Sequence, residues 1–340
     1  MIPSAVLLSF AVLTTPPPAE VTAVPPTQAN LREAVGKALP QLWKGVEGHS
    51  AKKTCFTCHN HAVPLLAVVT ADRHGFPADQ KKLAEQAAFI TDHFEGMRDR
   101  LEKGNGPGPG PVGGGVDNTG YALFALDVLG VQPNKTTAAI AHYTLGADEG
   151  KGHWPARGSR PPSEASDVTT TALAVRAVRK YAPEGKAEAA TRRAESARKW
   201  LLGVKPKDTE DRVFRLLGLH AAGATAEQLA DAAKELLATQ EADGGWAQNG
   251  WRFSDAYATG SALYALHVAG GVRSDAPAFA RGLAFLLGTQ LPDGTWHVRT
   301  RSRPVQTYFE SGFPHGRDQF ISCAATGWAT AAVALACEPE

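Results

Sequence analysis

A sequence repeat constrains the fold of this chain more than any other feature. The segment DAAKELLATQEADGGW at 231–246 aligns with RGLAFLLGTQLPDGTW at 281–296. The matches between the copies include Leu236/Leu286, Gln240/Gln290, Asp243/Asp293, Gly244/Gly294 and Trp246/Trp296. A period of about 50 residues with helical content is typical of stacked helix pairs. The repeat therefore predicts a fold built from helical hairpins.

Composition places few limits on function. The chain has 340 residues, of which 43% are hydrophobic, so it can bury a large core in one repeat domain. Lys and Arg number 35 against 34 Asp and Glu, which leaves a formal net charge of +1. No global basic field favours nucleic acid or an anionic membrane as a partner.

The first 30 residues have a different composition from the rest. Residues 1–20 contain the apolar run IPSAVLLSFAVL, which has the length of a signal peptide and is too short to span a membrane as a mature helix. We expect export to the periplasm or the outside. The alternative is an ordinary frayed terminus, since no Lys or Arg precedes the run. Residues 21–30 form a Pro-rich linker, and 31–340 form the folded domain.

Two kinds of predicted helix alternate along 31–340. Apolar helices, most of them opened by a polar capping residue, are predicted at 59–73, 117–130, 167–181, 211–221, 255–269 and 318–336. Amphipathic helices are predicted at 31–46, 78–103, 135–146, 187–202, 226–240 and 276–289. The first kind needs cover on most sides and the second on one side only. Six inner and six outer helices closed into an all-α ring satisfy both needs, whereas an open solenoid is the alternative.

The predicted loops differ in length on the two faces of such a ring. Connections into the apolar helices are long, at 104–116, 147–166, 241–254 and 290–317, whereas the connections that leave them are short. Because long loops on one face of a rigid scaffold carry binding and catalysis, we expect the functional site there.

The repeat also resembles a known family. The residues Arg281, Gly282, Phe285, Leu286, Gln290, Gly294 and Trp296 resemble the Gln-Trp repeat of squalene-hopene cyclases. These belong to the terpenoid cyclase and protein prenyltransferase group, so the resemblance implies an α/α toroid. Weaker copies lie at 136–154 and 194–208. This resemblance supports the fold more than the function.

The family that the chain resembles suggests one catalytic motif. Such cyclases protonate a polyene with the middle Asp of an Asp-x-Asp-Asp motif at the start of an inner helix. Asp208, Thr209, Glu210 and Asp211 lie at a similar place, which implies that Glu210 is the acid and that Asp208 and Asp211 perturb its pKa. The alternative is an acidic helix N-terminus. The zinc motif of the prenyltransferases, Asp-x-Cys with a downstream His, has no counterpart here.

Several aromatic residues on the predicted inner helices are candidates to line a central cavity. Their π faces would stabilise a carbocation, although such stripes are more often core. They are Tyr121, Phe124, Tyr257, Tyr264 and Trp328.

The segment Cys55-Phe56-Thr57-Cys58-His59 is the sharper chemical signal. Two thiols three residues apart can add to the vinyl groups of a haem, and the adjacent His59 then supplies an axial nitrogen to the iron. The alternatives are a zinc site completed by His61, a redox dithiol, and two buried structural thiols.

Ring closure predicts the surroundings of a haem. The loop 297–317 would lie beside 55–59, and its basic side chains would pair with the haem propionates, with Arg299, Arg301, Arg303 and Arg317 as candidates. The candidates for the distal ligand are His297, His315, His61, His74, His93 and Met97. The alternative for this loop is a solvated basic surface.

Three functions are open at this point. The first is haem-dependent redox chemistry or sensing, with a redox partner. The second is binding or cyclisation of an isoprenoid or other lipid in the central cavity. The third is a non-catalytic scaffold for protein interactions.

Overall fold

The computed structural model describes residues 24–108, 114–304 and 306–338, which are mainly helical. The helices are α1 Gln28–Ser50, α2 Val63–Asp72, α3 Gln80–Glu95, α4 Arg98–Glu102, α5 Val116–Val128, α6 Lys135–Gly146, α7 Asp167–Tyr181, α8 Ala187–Gly203, α9 Thr209–Ala221, α10 Ala226–Leu237, α11 Ala256–Val268, α12 Pro277–Thr289 and α13 Gln319–Ala334. A π-helical turn, Cys58–Ala62, precedes α2. The single helix predicted at 78–103 is two helices, α3 and α4.

The helices form a closed ring of six hairpins. The inner helices are α2, α5, α7, α9, α11 and α13, and each contacts the next one along the chain. The last inner helix, α13, packs against the first, α2, and the outer helix α1 contacts both α12 and α13. The fold is therefore an α/α toroid, and the open solenoid is excluded.

The inner helices form because their sequences combine apolar faces with strong N-caps. Ser166, Asp208 and Asp255 each accept hydrogen bonds from backbone N–H groups in the first turns of α7, α9 and α11. These caps satisfy donors that a helix start leaves unpaired. The helices then bury residues on nearly every side, as α13 does from Gln319 to Ala334.

Close packing between inner helices depends on small residues. Gly260 of α11 lies against α13, and a Cβ atom at this position would be 2.5 Å from the backbone nitrogen of Ala329. No larger residue fits at this approach without moving one of the helices.

The repeated tryptophan has the same role in three hairpins. The indole N–H of Trp154, Trp246 and Trp296 donates to a carbonyl of the preceding outer helix, at 2.7, 3.0 and 2.8 Å. The backbone N–H of each tryptophan donates to a threonine hydroxyl of the following inner helix, at 2.9–3.1 Å. Each tryptophan therefore joins the outer helix of its hairpin to the inner one.

The repeated glutamine joins neighbouring hairpins. The amide of Gln240 donates to the carbonyls of Gly244 and Ala278, both at 2.8 Å. Gln290 makes the equivalent bonds to Gly294 at 3.0 Å and to Ala34 at 2.9 Å. Since Ala34 lies in α1, the last copy of the motif closes the ring.

The ends of the described chain lie side by side. The amide of Gln28 donates to the carbonyl of Ala336 at 2.9 Å, and the backbone N–H of Glu338 donates to the side-chain oxygen of Gln28 at 3.0 Å. Helix α1 begins inside the stretch that the sequence predicts as linker. The predicted signal peptide, 1–20, lies outside the described residues. None of the described helices combines the length and apolarity needed to cross a bilayer.

Candidate functional site

The long loops and the starts of the inner helices share one face of the ring, and Glu210 lies at one of these helix starts. It occupies the first turn of α9, the helix that Asp208 caps. Its Oε1 accepts from the hydroxyl of Tyr257 at 3.3 Å and from that of Thr169 at 3.5 Å. Its Oε2 is buried and has no hydrogen-bond partner among the described residues. This oxygen is therefore the one open to a further group.

Burial determines the protonation of this acid. Glu210 is 5% exposed, and loss of hydration raises its pKa well above the usual 4.5. The charge of Asp208 raises this pKa further, and the hydrogen bond from Tyr257 lowers it by less. A buried acid held in its protonated form can donate a proton.

The two aspartates of the motif accept hydrogen bonds from backbone N–H groups instead. Asp208 accepts from the N–H of Asp211 at 3.0 Å as the cap of α9. Asp211 accepts from the N–H of Lys207 at 2.8 Å and from the hydroxyl of Ser166. Both carboxylates are committed to hold the helix start in place. Among these three acids, Glu210 alone has a buried oxygen without a partner.

A fourth acid lies at the start of the next inner helix. Asp255 caps α11 and accepts from the side-chain amide of Gln248 at 2.7 Å. Burial raises its pKa to about 6. The segment before it is bonded to α9, because the hydroxyl of Thr209 donates to the carbonyl of Ala247 at 2.6 Å.

The loop 155–166 is connected to Glu210 through Tyr257. Arg160 and Glu164 form two backbone hydrogen bonds of 3.0 Å, which close the tip of the loop into a small hairpin. The tip is fixed to the inner helices through Ser163, whose carbonyl accepts from the hydroxyl of Tyr121 at 3.3 Å and whose own hydroxyl lies 3.3 Å from that of Tyr257. Tyr257 thus contacts both the loop and the acid.

The thiol of Cys58 joins the first hairpin to this loop. Its Sγ donates to Oε1 of Glu164 at 3.2 Å, and Glu164 also forms an ion pair with Arg160. Burial, followed by the charge of Glu164, raises the pKa of Cys58 well above its usual value. The other thiol of the motif has a different environment, since Cys55 is half-buried and lies 4.0 Å from Nε2 of His49.

His59 keeps one feature that an axial ligand needs. Its Nε2 is buried and has no hydrogen-bond partner among the described residues. Its ring packs edge-on against Phe320, with centroids 5.1 Å apart. Burial, followed by the charges of His49 and Arg160, lowers the pKa of His59 to about 3, so the ring is neutral. Attachment of haem at both thiols would require Cys58 to leave Glu164.

The other predicted ligands have partners of their own. His61 accepts from the N–H of Thr57 at 3.2 Å, and its second ring nitrogen lies 3.2 Å from the hydroxyl of Ser50. Nε2 of His315 lies 2.8 Å from the hydroxyl of Thr295. Within the described ranges, no three His, Cys, Asp or Glu side chains are arranged to hold a metal ion.

The loop 297–317 lies beside the first hairpin, as ring closure predicts. The ammonium group of Lys52 donates to the carbonyl of Glu310 at 2.6 Å. Of the predicted basic residues in this loop, Arg299 and Arg303 are exposed, whereas Arg301 is partly buried. The ring of His297 stacks on that of His315, with centroids 4.8 Å apart.

The predicted aromatic residues meet inside the ring. Tyr121 and Trp328 both approach Phe214, with centroids 6.4 Å apart in each pair, and Tyr264 lies 5.4 Å from Trp328. Phe124 packs under the guanidinium of Arg176 instead. Tyr121, Tyr257 and Trp328 are fully buried and belong to the core.

The sequence alone does not identify the residues of the loop 155–166 that contact the site. Ser163 and Glu164 belong to no motif, and their roles arise from contacts with α5, α11 and the turn at Cys58. The adjacent prolines at 161 and 162 are the one local sign of an ordered loop.

Comparison with known proteins agrees with the fold. Residues 180–339, just under half of the chain, match the family model of the squalene-hopene cyclase C-terminal domain. This match includes Glu210 and both long copies of the repeat. No curated protein is detectably similar to the chain in sequence.

Two solved structures resemble the whole ring. Unsaturated glucuronyl hydrolase from Bacillus sp. GL1 has a TM-score of 0.56 at 12% identity, over 89% of this chain and 96% of that chain. A structure described as UGL_D88N with dGlcA-Glc-Rha-Glc has a TM-score of 0.54 at 12% identity, over 89% of this chain and 95% of that one. At this identity the likeness shows the fold alone. The chain is an α/α toroid whose C-terminal half is similar to the squalene-hopene cyclase C-terminal domain.

Proposed function

We propose that the protein is an acid catalyst that protonates a carbon–carbon double bond, with Glu210 as the proton donor. The observation that carries the proposal is the buried Glu210 carboxyl, which favours its protonated form and keeps one oxygen without a partner. The similar family and the similar structures add support, because squalene and an unsaturated glucuronyl group both contain such a bond.

The chemistry follows from the surroundings of the acid. Glu210 transfers its proton to one alkene carbon, which leaves a carboxylate on the protein and a carbocation on the substrate. The cation is then quenched by water or by loss of a proton, and the proton released returns to Glu210. Tyr257 already donates to the carboxyl and would stabilise the transient carboxylate.

The substrate would enter beneath the loop 155–166. The tip of this loop is fixed by contacts of Ser163 with Tyr121 and Tyr257, by the hydroxyl of Ser302 on the carbonyl of Pro161 at 2.8 Å, and by the thiol of Cys58 on Glu164 at 3.2 Å. Its first residues are held by Asp117, which accepts from the N–H groups of Arg157 at 2.9 Å and Gly158 at 3.1 Å. Opening of the loop tip would therefore break several hydrogen bonds, which contribute about 1 kcal/mol each.

The test is turnover in heavy water. The protein is incubated in D₂O with squalene or with an unsaturated glucuronyl disaccharide, and mass spectrometry measures the deuterium content of the products. Protonation by an exchanged Glu210 places one deuterium on carbon. We expect Glu210→Gln to lower the rate by at least about 100-fold, since general acids contribute 10²–10⁴. Glu210→Asp, which introduces the acid found in the cyclase motif, should retain part of the wild-type rate.

A matched control separates this role from a general effect of charge. Glu227 is an exposed acid in the first turn of the outer helix α10, and Glu227→Gln should keep full activity. The proposal is wrong if the folded wild type converts neither substrate, or if Glu210→Gln remains as active as the wild type.

Covalent haem is a second candidate, favoured by the buried, partnerless Nε2 of His59 beside the two thiols. Cys55 and Cys58 would hold the haem and His59 would ligate its iron, with Arg299, Arg301 or Arg303 on its propionates. Bound haem would supply redox or ligand-binding chemistry. A pyridine haemochrome spectrum, after expression with export and c-haem maturation, tests this. A band lost in Cys55→Ala/Cys58→Ala supports it, and no band in exported, folded protein contradicts it.

A further inference from the structure

Two nitrogens of the Arg301 guanidinium, Nε and Nη2, are inaccessible and have no hydrogen-bond partner among the described residues, while the side chain as a whole is only partly buried. Arg160 and Arg176 differ, since each forms an ion pair, with Glu164 and Asp127 respectively. Buried N–H donors without partners are costly, so the Arg301 site is suited to an acceptor that arrives from outside.

A contact of the next residue in the chain and the reach of its own charge place Arg301 near Glu210. The hydroxyl of the next residue, Ser302, donates to the carbonyl of Pro161 at 2.8 Å. Pro161 lies two residues before Ser163, which Tyr257 connects to Glu210. The positive charge of Arg301 also lowers the pKa values of three carboxyls near it, at Asp208, Glu210 and Asp255.

Two acceptors in the same region also lack partners. Oε2 of Glu210 and Oε1 of Gln248 are both buried without a partner, and these residues are 5% and 3% exposed. Gln248 is tied to this site through its amide bond to Asp255. Buried donors and acceptors that all lack partners are typical of a polar site that a ligand completes.

We propose that Arg301 is the subsite for an anionic group of the substrate, either a carboxylate or a phosphate. The planar fork of guanidinium N–H groups matches both anions in a bidentate geometry. The inference rests on the proposed function and narrows it, because an anion bound here leaves the rest of the substrate near Glu210. The substrate is then an unsaturated acid rather than a hydrocarbon.

A role as a simple counter-ion for the acids would look different. An arginine that neutralises Asp208, Glu210 or Asp255 would form a hydrogen-bonded ion pair with one of them, and Arg301 forms none. Its charge acts on all three without contact. The geometry therefore leaves the donors of Arg301 available to a ligand.

Binding of small anions tests this subsite directly. Acetate and inorganic phosphate are titrated into the full chain at constant ionic strength, and the unfolding midpoint is followed. We expect both to stabilise the wild type, and Arg301→Gln to weaken the tighter of the two by about 10- to 100-fold, as loss of a charged hydrogen-bond pair does. The anion that binds more tightly identifies the source as carboxylate or phosphate. Arg301→Gln removes an unpaired charge, so it should fold.

Two controls make the outcome decisive. Arg303→Gln, two residues away and exposed, should bind the anions as the wild type does. Glu210→Gln should also bind them, because Glu210 is not the anion subsite. A wild type that binds the anions but converts neither substrate would contradict the proposed function and leave the anion site standing. Equal midpoint shifts in the wild type and Arg301→Gln, or no shift in the wild type, would overturn the subsite. With an active enzyme, Arg301→Gln should raise KM for the acidic substrate more than for squalene.

Discussion

The thiol of Cys58 donates a hydrogen bond to Glu164, which links the CxxCH segment to the loop 155–166. Both side chains are buried, at 5% and 6% exposure, so neither has water as a substitute partner. The energetic cost of replacing a single buried residue depends on which polar atom the substitution leaves unpaired. The same reasoning applies to Asp255, a buried carboxyl that caps α11.

Replacement of Cys58 separates a structural role from haem attachment. Cys58→Ser keeps a donor for Glu164 and should retain most of the stability, whereas Cys58→Ala leaves the acceptor unpaired and should lower the free energy of unfolding by about 1–3 kcal/mol. Urea denaturation measures both, with Cys55→Ala as the half-buried control. Equal free energies for Ser and Ala would argue against the bond. Both variants lose a covalent haem linkage, so a spectrum distinguishes the two roles.

The pKa of Asp255 predicts how stability depends on pH. Because the folded-state pKa is raised from 3.8 to about 6, the folded state binds the proton more tightly. This group's contribution is therefore largest below about pH 4 and declines as the pH rises to about 6, by about 3 kcal/mol at 1.36 kcal/mol per pKa unit. Asp255→Asn keeps the cap and should remove this decline.

Urea titrations at pH 4, 5.5 and 7 check the effect. Asp79→Asn is the matched control, because Asp79 caps the outer helix α3 and is exposed. If the stability of wild type and Asp255→Asn differed by the same amount at all three pH values, the explanation would fail.

At the scale of elements, the inner helices depend on close approach and the outer helices do not. Gly260 illustrates the first case, since its α-carbon faces the backbone of α13 at Ala329. Gly36 in α1 illustrates the second, because it is exposed and a Cβ there would have no atom within 4 Å. The two glycines therefore respond in opposite ways to an added methyl group.

Gly260→Ala should lower the free energy of unfolding by about 1–3 kcal/mol, because α11 and α13 must move apart. Gly36→Ala should raise it by up to about 1 kcal/mol, since alanine is the better helix former. Thermal unfolding of both variants measures the contrast. A stabilised Gly260→Ala protein would show that the two helices are not in the contact described.

At the scale of the whole molecule, one side chain joins the two ends of the ring. Gln290 connects α12 to α1 through the carbonyl of Ala34. Gln290→Ala leaves that carbonyl and that of Gly294 without these bonds, so we expect a loss of about 1–3 kcal/mol. Hydrogen exchange should quicken in both α1 and α12, whereas the exposed Gln132→Ala should change neither. Faster exchange in α12 alone would contradict closure through this residue.

The sequence predicts the ring well because its determinants recur. Trp246 and Trp296 form the same bonds in each copy, so alignment alone reveals the hairpin unit. The sequence places Glu210 at the start of an inner helix for a similar reason, since a short motif marks that helix start. Ser163 and Arg301 are different. Their environments arise where a loop from one hairpin meets loops from others, and no local period encodes such contacts. Helices depend on residues that are close in sequence, whereas the surroundings of Ser163 and Arg301 depend on contacts between distant segments.

The hydrogen bonds of Gln28 with Ala336 and Glu338 have a consequence for the connectivity that this fold allows. Because residues 28 and 338 of the described ring lie side by side, a short linker can join them, and the polypeptide can be opened at another short turn, such as the exposed one at Glu184 and Gly185. The order in which the hairpins are synthesised would then change while their neighbours in space stay the same. A circular permutant of this protein should therefore fold to the same ring, with any of its six hairpins made first.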